Sequence, residues 1–450
     1  MGPEEPGMPD TPVGVVLVDT EQGLPDLEDL RARYRTVWFV LRRGGRPLSL
    51  HEMDIRRDAT AHAGAALEQL IAEAHEEPFP QGPSTGSRRL PSIAVVIPTI
   101  VERSDELVAC LDALAAVEYD RFEVVLVDNR RTIPDDDPLP AALAGRARVR
   151  CVREARPGIS AARNAGVAAT TADVVAFTDD DVHVDTGWLR AIGTRFAEHP
   201  DEDVVSGLVL PSELETPSQL MFERYYGGFS GERTFAPTSF RVKRPGGPPW
   251  ARASVVARDD EGREMRRFAL YGAGACGAGC NIAFRRTALY GPLLFDLALG
   301  TGTPARGGED LAAMIAVLWR GRGIGYEPAA TVHHQHRREY DELLRQMSGY
   351  GTGFTAMLTS LVLHDRGHLL GLVGQVPKAA VRLGRGATTR LRGHRPQTPD
   401  ALDGATSGGE RTFPPELARR ELAGYLRGPG AYLRSRRAAR VGADTARPRA

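Results

Sequence analysis

Three adjacent carboxylates, Asp179, Asp180 and Asp181, follow the apolar run Val174-Val175-Ala176-Phe177. That run reads as a strand entering a protein interior. Like charges at the end of a buried strand repel one another and resist desolvation. A hard divalent cation, Mg2+ or Mn2+, takes oxygen ligands, commonly one or two carboxylates plus substrate phosphates, and would offset the repulsion. Asp179 and Asp181, two apart in a turn, can both face one ion; a solvated acidic turn is the alternative. Glu309 and Asp310 close the Gly-rich stretch "GTGTPARGGED" at the start of an apolar helical run. Acids there complement the helix dipole, or supply a general base on a loop that closes over substrate. In "TVHHQHRRE", His333, His334 and His336 offer imidazoles, without the HExxH pattern of a zinc protease. "GAGACGAGCNIAFRR" combines glycines, which let backbone approach a ligand, with Asn281 and the Arg285-Arg286 pair. A tightly packed Gly/Ala turn is the other reading of that stretch.

These residues need a scaffold, and its elements are legible. "IAVVIPT", "FEVVLVDN", "RVRCVRE" and "DVVAFTDDD" read as strands, with "SDELVACLDALAAV" and "GISAARNAGVAAT" as helices between them. Continuous apolar strands alternating with helices indicate a parallel sheet covered on both faces. Ligands of such sheets sit beyond the carboxyl ends of the strands. Pro98-Thr99, Asp128-Asn129 and Asp179–Asp181 fall at those ends and should meet at one crevice. No GxxxxGK[ST] loop and no GxGxxG between a first strand and its helix is present, which excludes a P-loop and a standard dinucleotide site.

The expected organisation is a small α/β unit over residues 1–78, a Pro/Gly/Ser-rich linker over 79–91, and the main α/β domain over 92–345. A helical region follows over 346–384, then a basic tail over 385–450. Residues 211–268 read as long loops bordering the crevice, and 385–415 as disordered by composition. The whole chain of 450 residues has a formal net charge of -1, against a general nucleic-acid binder. The tail differs, with 15 arginines against 6 acids from Ala379 onward. Cys110, Cys151, Cys276 and Cys280 read as buried free thiols, not a zinc site or disulfide framework. No secretory signal and no run near the ~18 apolar residues of a spanning helix is seen, so a cytoplasmic location is expected.

In sequence order, Pro98-Thr99, Asp128-Asn129, "GISAARNAG", "FTDDDV", "GAGCNIAFRR", "GTPARGGED" and "HHQHRR" resemble the family 2 glycosyltransferases of GT-A fold. The resemblance spans about Ser92 to Met357 and is strongest to a bacterial subgroup with an N-terminal extension. It implies a Rossmann-like, mostly parallel sheet with helices on both faces, and an inverting transfer of a hexosyl or related sugar. The donor would be a nucleotide-diphosphate sugar, and the cofactor Mn2+ or Mg2+. Pro98, Thr99, Arg103, Asp128, Arg163, Asn164, Asp179, Asp180 and Asn281 would contact the donor. Asp179 and Asp181 would hold the metal, joined by His333 or His334. Asp310 would be the catalytic base, with Glu309 beside it. The acceptor would be a carbohydrate, a lipid-linked compound or another hydroxyl compound, as in cell-envelope polysaccharide. Ile100-Val101 depart from the more polar residues common after Thr99 in the family. Two rivals are a non-catalytic nucleotide-sugar-binding scaffold and a sugar nucleotidyltransferase. The latter needs a Gly-rich basic loop after the first strand, where this chain has "IPTIVERSDE". The basic tail adds an expectation of peripheral association with the inner face of a membrane.

Overall fold

Apolar runs rich in Val, Ile and Phe become strands, and the two sheets they form lie side by side. The computed structural model describes residues 9–56, 60–76, 89–229, 233–289, 294–375 and 414–445. The N-terminal unit has strands β1 (Val13–Asp19), β2 (Thr36–Arg43) and β3 (Arg46–Asp54), with helices α1 (Leu27–Arg33) and α2 (Thr60–Glu76). β1 runs parallel to β2, and β2 antiparallel to β3. Val37, Phe39, Leu41, Ile55 and Leu67 form its core. It leans on the rest of the molecule through Val13, whose N–H donates to the Leu214 carbonyl at 2.9 Å, and through Trp38, which packs with Leu214 and Leu220. Arg224 adds an ion pair to Glu52 at 2.5 Å.

The main sheet begins with β4 (Ile93–Thr99), α3 (Ser104–Ala115), β5 (Phe122–Asp128), α4 (Leu139–Leu143), β6 (Val149–Arg153), α5 (Ile159–Ala168) and β7 (Val174–Phe177). These four strands are mutually parallel in the order β7-β4-β5-β6. Thr99 is in register with Asp128, and Asp128 with Arg153, so the polar ends line up. There follow β8 (Val182–Val184), α6 (Trp188–Glu198), β9 (Glu202–Pro211), α7 (Pro217–Met221), β10 (Thr238–Val242), α8 (Pro249–Arg252), β11 (Ser254–Arg258), β12 (Glu264–Ala269) and β13 (Ile282–Arg285). α9 (Glu309–Trp319), β14 (Gly323–His334), α10 (Tyr340–His364), α11 (Gly367–Val373) and α12 (Pro415–Thr445) complete the order. β13 joins β7 to β9 antiparallel, β9 pairs β14 in parallel, and β10–β12 extend the sheet as an antiparallel meander. The α/β class read from the sequence is the one found.

Residues 211–268 hold α7, a π-helical turn at Phe222–Tyr226, α8 and the meander, not only loops. Burial alternates along β10, so no continuous apolar run marks it in sequence. Cys110, Cys276 and Cys280 are buried, but Cys151 is exposed because β6 is the edge of the sheet. The stretch read as a linker, apart from residues 89–91, lies outside the described residues, as does 385–413.

α12 packs along α10 at very short range. A Cβ on Gly428 would lie 1.9 Å from Thr355 Oγ1 and 2.5 Å from the Thr352 carbonyl, so only glycine fits there. Pro429 sits inside α12 and cannot donate to the Tyr425 carbonyl four residues back. The Thr355 hydroxyl of α10 donates to that carbonyl at 2.8 Å and satisfies it. Gly428→Val should therefore overpack the contact and cost about 1–3 kcal/mol. The expected result is a lower urea midpoint with faster tryptic cleavage at the arginines of α12; unchanged values would refute the close-packing argument.

Candidate active site

The ends of β4, β5 and β7 open into a cavity of about 2440 Å3. Pro98, Thr99, Arg103, Arg163, the three aspartates, Glu309, Asp310 and His334 all line it. Thr99 Oγ1 donates to Asp180 Oδ2 at 2.5 Å and accepts the Val101 N–H at 2.9 Å, which ties the β4 end to the acidic turn. Ile100, 54% exposed, presents an apolar side chain to the same space.

The acidic turn splits its carboxylates between different tasks. Burial, and then Asp181, Asp180 and Asp310, push the Asp179 carboxyl up to about 6 against the pull of Arg163. Burial also lifts Asp180 to about 6. For Asp181 burial acts in the same sense, but the neighbouring His334, Arg337 and Arg103 outweigh it and hold the group below the usual carboxylate range. Arg103 Nη2 donates to Asp181 Oδ2 at 2.8 Å. Asp181 Oδ1 is buried and accepts no hydrogen bond. It faces His334 Nε2 at 3.4 Å. Ligand atoms of Asp179, Asp181 and His334 lie within 4.8 Å of one another. An orphaned carboxylate oxygen beside a second carboxylate and an imidazole suits a divalent cation such as Mn2+ or Mg2+.

His334 is oriented from behind. Burial pushes it down to about 4, so the ring is neutral at physiological pH. Its Nδ1 lies 3.4 Å from His336 Nδ1, and His336 Nε2 lies 2.6 Å from Glu223 Oε1. The proton assignment that satisfies this chain leaves the His334 Nε2 lone pair facing Asp181. Burial opposes ionisation of Glu223, yet Arg233 at 2.8 Å and His336 hold its carboxyl down to about 2.

The second acidic pair meets the first through Arg163. This guanidinium is 2% exposed and reaches Glu309 Oε1 at 2.8 Å, the Gly279 carbonyl at 3.1 Å and Asp179 Oδ1 at 3.5 Å. Burial and then Asp310 push Glu309 up to about 7, against Arg163. Asp310 accepts the Gly279 N–H at 2.9 Å and the Leu311 N–H at 2.8 Å. Gly279 is thus clamped between Arg163 and Asp310, and a Cβ there would lie 2.9 Å from the Asp310 carboxylate. Gly308 is the N-cap of α9, and Asp310 satisfies one first-turn N–H of that helix, that of Leu311, through its side chain.

Four residues read from sequence as ligand contacts are engaged elsewhere. Asp128 is gripped by Arg130 at 2.9 and 3.0 Å and by Arg153 at 2.8 Å, so it braces Arg130 at the cavity wall. Asn164 exchanges hydrogen bonds with the Phe295 backbone at 2.8 and 3.0 Å. Asn281, fully buried, accepts from Trp188 Nε1 at 2.9 Å and donates to the Leu208 and Ala330 carbonyls. His333 turns to the opposite face of β14 from His334, with Nε2 3.6 Å from Asp185. His336, Glu223 and Arg233 escaped the sequence reading as supports. Their only signal was the odd-even parity of the histidine cluster.

These features define an α/β domain whose strand ends frame an acidic turn suited to a metal. Residues 94–290 match the model of glycosyl transferase family 2, the family that the motifs resemble. A curated relative, the glucosyl-dolichyl phosphate glucuronosyltransferase of Haloferax volcanii, is 27% identical over 141 residues, covering 30% of this chain and 43% of the relative's length. A solved mannosyltransferase from Pyrobaculum calidifontis, in complex with GDP-Man and Mn2+, is similar at 15% identity and a TM-score of 0.42, over 83% of this chain and 95% of that one. Glucosyl-3-phosphoglycerate synthase from Mycobacterium tuberculosis, in complex with Mn2+, UDP and glucosyl-3-phosphoglycerate, is similar at 15% identity and a TM-score of 0.37, over 60% and 79%.

Two outcomes are expected. Calorimetric titration with Mn2+ should show affinity falling about 10-fold or more in Asp181→Asn and in His334→Ala; wild-type affinity in both would remove the proposed ligand set. Glu223→Gln should cost about 2–4 kcal/mol, because it leaves the half-buried Arg233 charge without its fully buried partner. Glu223 has a depressed folded pKa, so its stabilisation is complete above its unfolded value and is lost as pH falls toward about 2. The stability gap between wild type and variant, read by urea unfolding, should be constant near neutrality and narrow in acid.

Proposed function

We propose that this chain transfers a sugar, a hexose or a close relative, from a nucleotide-diphosphate donor to an acceptor hydroxyl with inversion at the anomeric carbon. The observation that carries this reading is the orphaned Asp181 oxygen, which lies in the segment that matches family 2, faces His334 and shares one cavity with Asp310. Mn2+ or Mg2+ held by Asp179, Asp181 and His334 would supply Lewis-acid stabilisation to the diphosphate leaving group. Arg103 and Arg337 border the same turn and favour the anionic phosphates. Thr99 and Asp180, bridged to each other, bound the donor on the β4 side.

Asp310 serves as the base. Its carboxylate accepts backbone N–H groups, whereas Glu309 is engaged by Arg163. It takes the proton of the acceptor hydroxyl as that oxygen attacks the anomeric carbon on the face opposite the leaving group. One displacement inverts the configuration, through an oxocarbenium-like transition state. Carbohydrate and lipid-linked hydroxyls are the acceptor classes that we favour, on the cytoplasmic side of a membrane. Among the described residues, no helix is long and apolar enough to cross a membrane.

The substitution Asp310→Asn should lower kcat by roughly 10²–10⁴-fold while donor affinity stays within about twofold. UDP-, GDP- and dTDP-sugars, each assayed with Mn2+ for binding and for nucleotide release with and without acceptor, provide the readout. Normal turnover by the variant would overturn the base assignment. Donor binding by wild type with no release under any condition would favour a binding scaffold.

A further inference from the structure

We propose that the outer face of α12 docks on an anionic lipid bilayer. The helix is two-faced. Its inner face, with Leu417, Ala418, Gly428, Ala431 and Tyr432, is buried along α10. The outer face carries Leu422, Leu426 and Leu433, which are 38%, 87% and 46% exposed, with Pro429 exposed between them. Their spacing of four, three and four residues is that of a single helical stripe. Arg419, Arg420, Arg427, Arg434, Arg437 and Arg440 flank the stripe and are all exposed. Between Arg419 and Arg440 every exposed charged residue is an arginine, and the single acid, Glu421, is buried.

This pattern points to one occupant. The leucine stripe is narrow and flanked by charge of one sign, short of the contiguous apolar patch that marks a protein-binding face. A second copy of α12 would set arginine against arginine. A helix lying flat at a headgroup layer resolves both problems: the leucines enter the acyl boundary, and the arginines bend outward to anionic lipid. The helix is too polar to span, so it lies on the surface.

The same helix reaches the active-site cavity, where Glu421 and Tyr425 line the wall. Docking would therefore set the cavity beside the headgroups, where a lipid-linked acceptor is presented. That last step rests on the proposed glycosyl transfer; the docking does not.

The test uses the full chain, without donor or acceptor, and vesicles of phosphatidylcholine alone or mixed with phosphatidylglycerol. Wild type should co-sediment with the mixed vesicles, more weakly as salt rises, and little with phosphatidylcholine alone. Leu422→Glu/Leu426→Glu/Leu433→Glu and Arg427→Glu/Arg434→Glu/Arg437→Glu should each weaken binding by about tenfold or more. These side chains are exposed, so circular dichroism and Tm should match wild type, and donor hydrolysis in solution should be unchanged. Asp310→Asn should bind vesicles as wild type does, which separates docking from catalysis. The proposal is overturned by wild type that ignores both vesicles, or by variants that bind normally. It also fails if Leu369→Glu/Leu370→Glu on α11 abolishes binding while the α12 variants keep it. A wild-type dimer that the leucine variant dissociates would assign the face to self-association and sink it as well.

Discussion

Burial of negative charge is the constraint around which this molecule is arranged. Asp179, Asp180, Asp181, Glu309 and Asp310 line one cavity, and a buried guanidinium, Arg163, bridges the two groups. The cost of desolvating these acids appears as raised proton affinities in Asp179, Asp180 and Glu309. Arg163 offsets only part of it, because its fork is shared between Glu309, the Gly279 carbonyl and Asp179. A local excess of negative charge is left at the Asp179–Asp181 side. An apolar ligand would worsen that excess; a cation, with phosphates bringing their own counter-charges, relieves it.

The surrounding elements answer that constraint in turn. The four parallel strands align their ends through register, so the polar ends at Thr99, Asp128 and the Asp179–Asp181 turn arrive at one level. β13, inserted antiparallel beside β7, brings Gly279 and Asn281 under the acidic turn. Asn281 satisfies buried backbone carbonyls of β9 and β14, and with them the position of His334 at the end of β14. α9 then directs Glu309 and Asp310 from the far side. Closing the cavity wall falls to α10 and α12, held close by a glycine contact and by a threonine that satisfies the carbonyl Pro429 frees.

Much of this was legible in the chain and some was not, for identifiable reasons. Strands β4 to β7 and the helices among them carry continuous apolar runs, so their alternation and strand ends could be read directly. The acidic turn stands at one of those ends, which is why its place in the crevice was foreseeable; Glu309 and Asp310, at the start of α9, were joined to it by the family resemblance. His333 and His334 could not be separated without knowing which face of β14 meets the cavity. Asn164 and Asn281 look like ligand contacts by residue type, but buried amides more often serve orphaned backbone, and only three-dimensional partners reveal that. Asp128 has both arginine partners close in sequence or register, yet ion pairing across β5 and β6 becomes visible only once the strands pair. In the meander, β10 alternates buried and half-buried residues, β11 buries only a short run and β12 buries none, so the stretch reads as loop. α12 lies in an arginine-rich tail whose composition hides a helix with one well-packed face.

The N-terminal unit has a role that its separate sheet does not advertise. Glu52 of β3 pairs with Arg224, and Trp38 of β2 lies 5.9 Å from the Arg233 guanidinium. Arg224 follows Glu223 in the chain and Arg233 pairs with it, and Glu223 anchors the histidine chain behind His334. The extension is therefore a buttress for part of the site. Across relatives, exchanging it as an independent module would exchange the foundation of one metal-facing imidazole, and divergence in Trp38 or Glu52 should travel together with divergence in the π-helical turn that they brace.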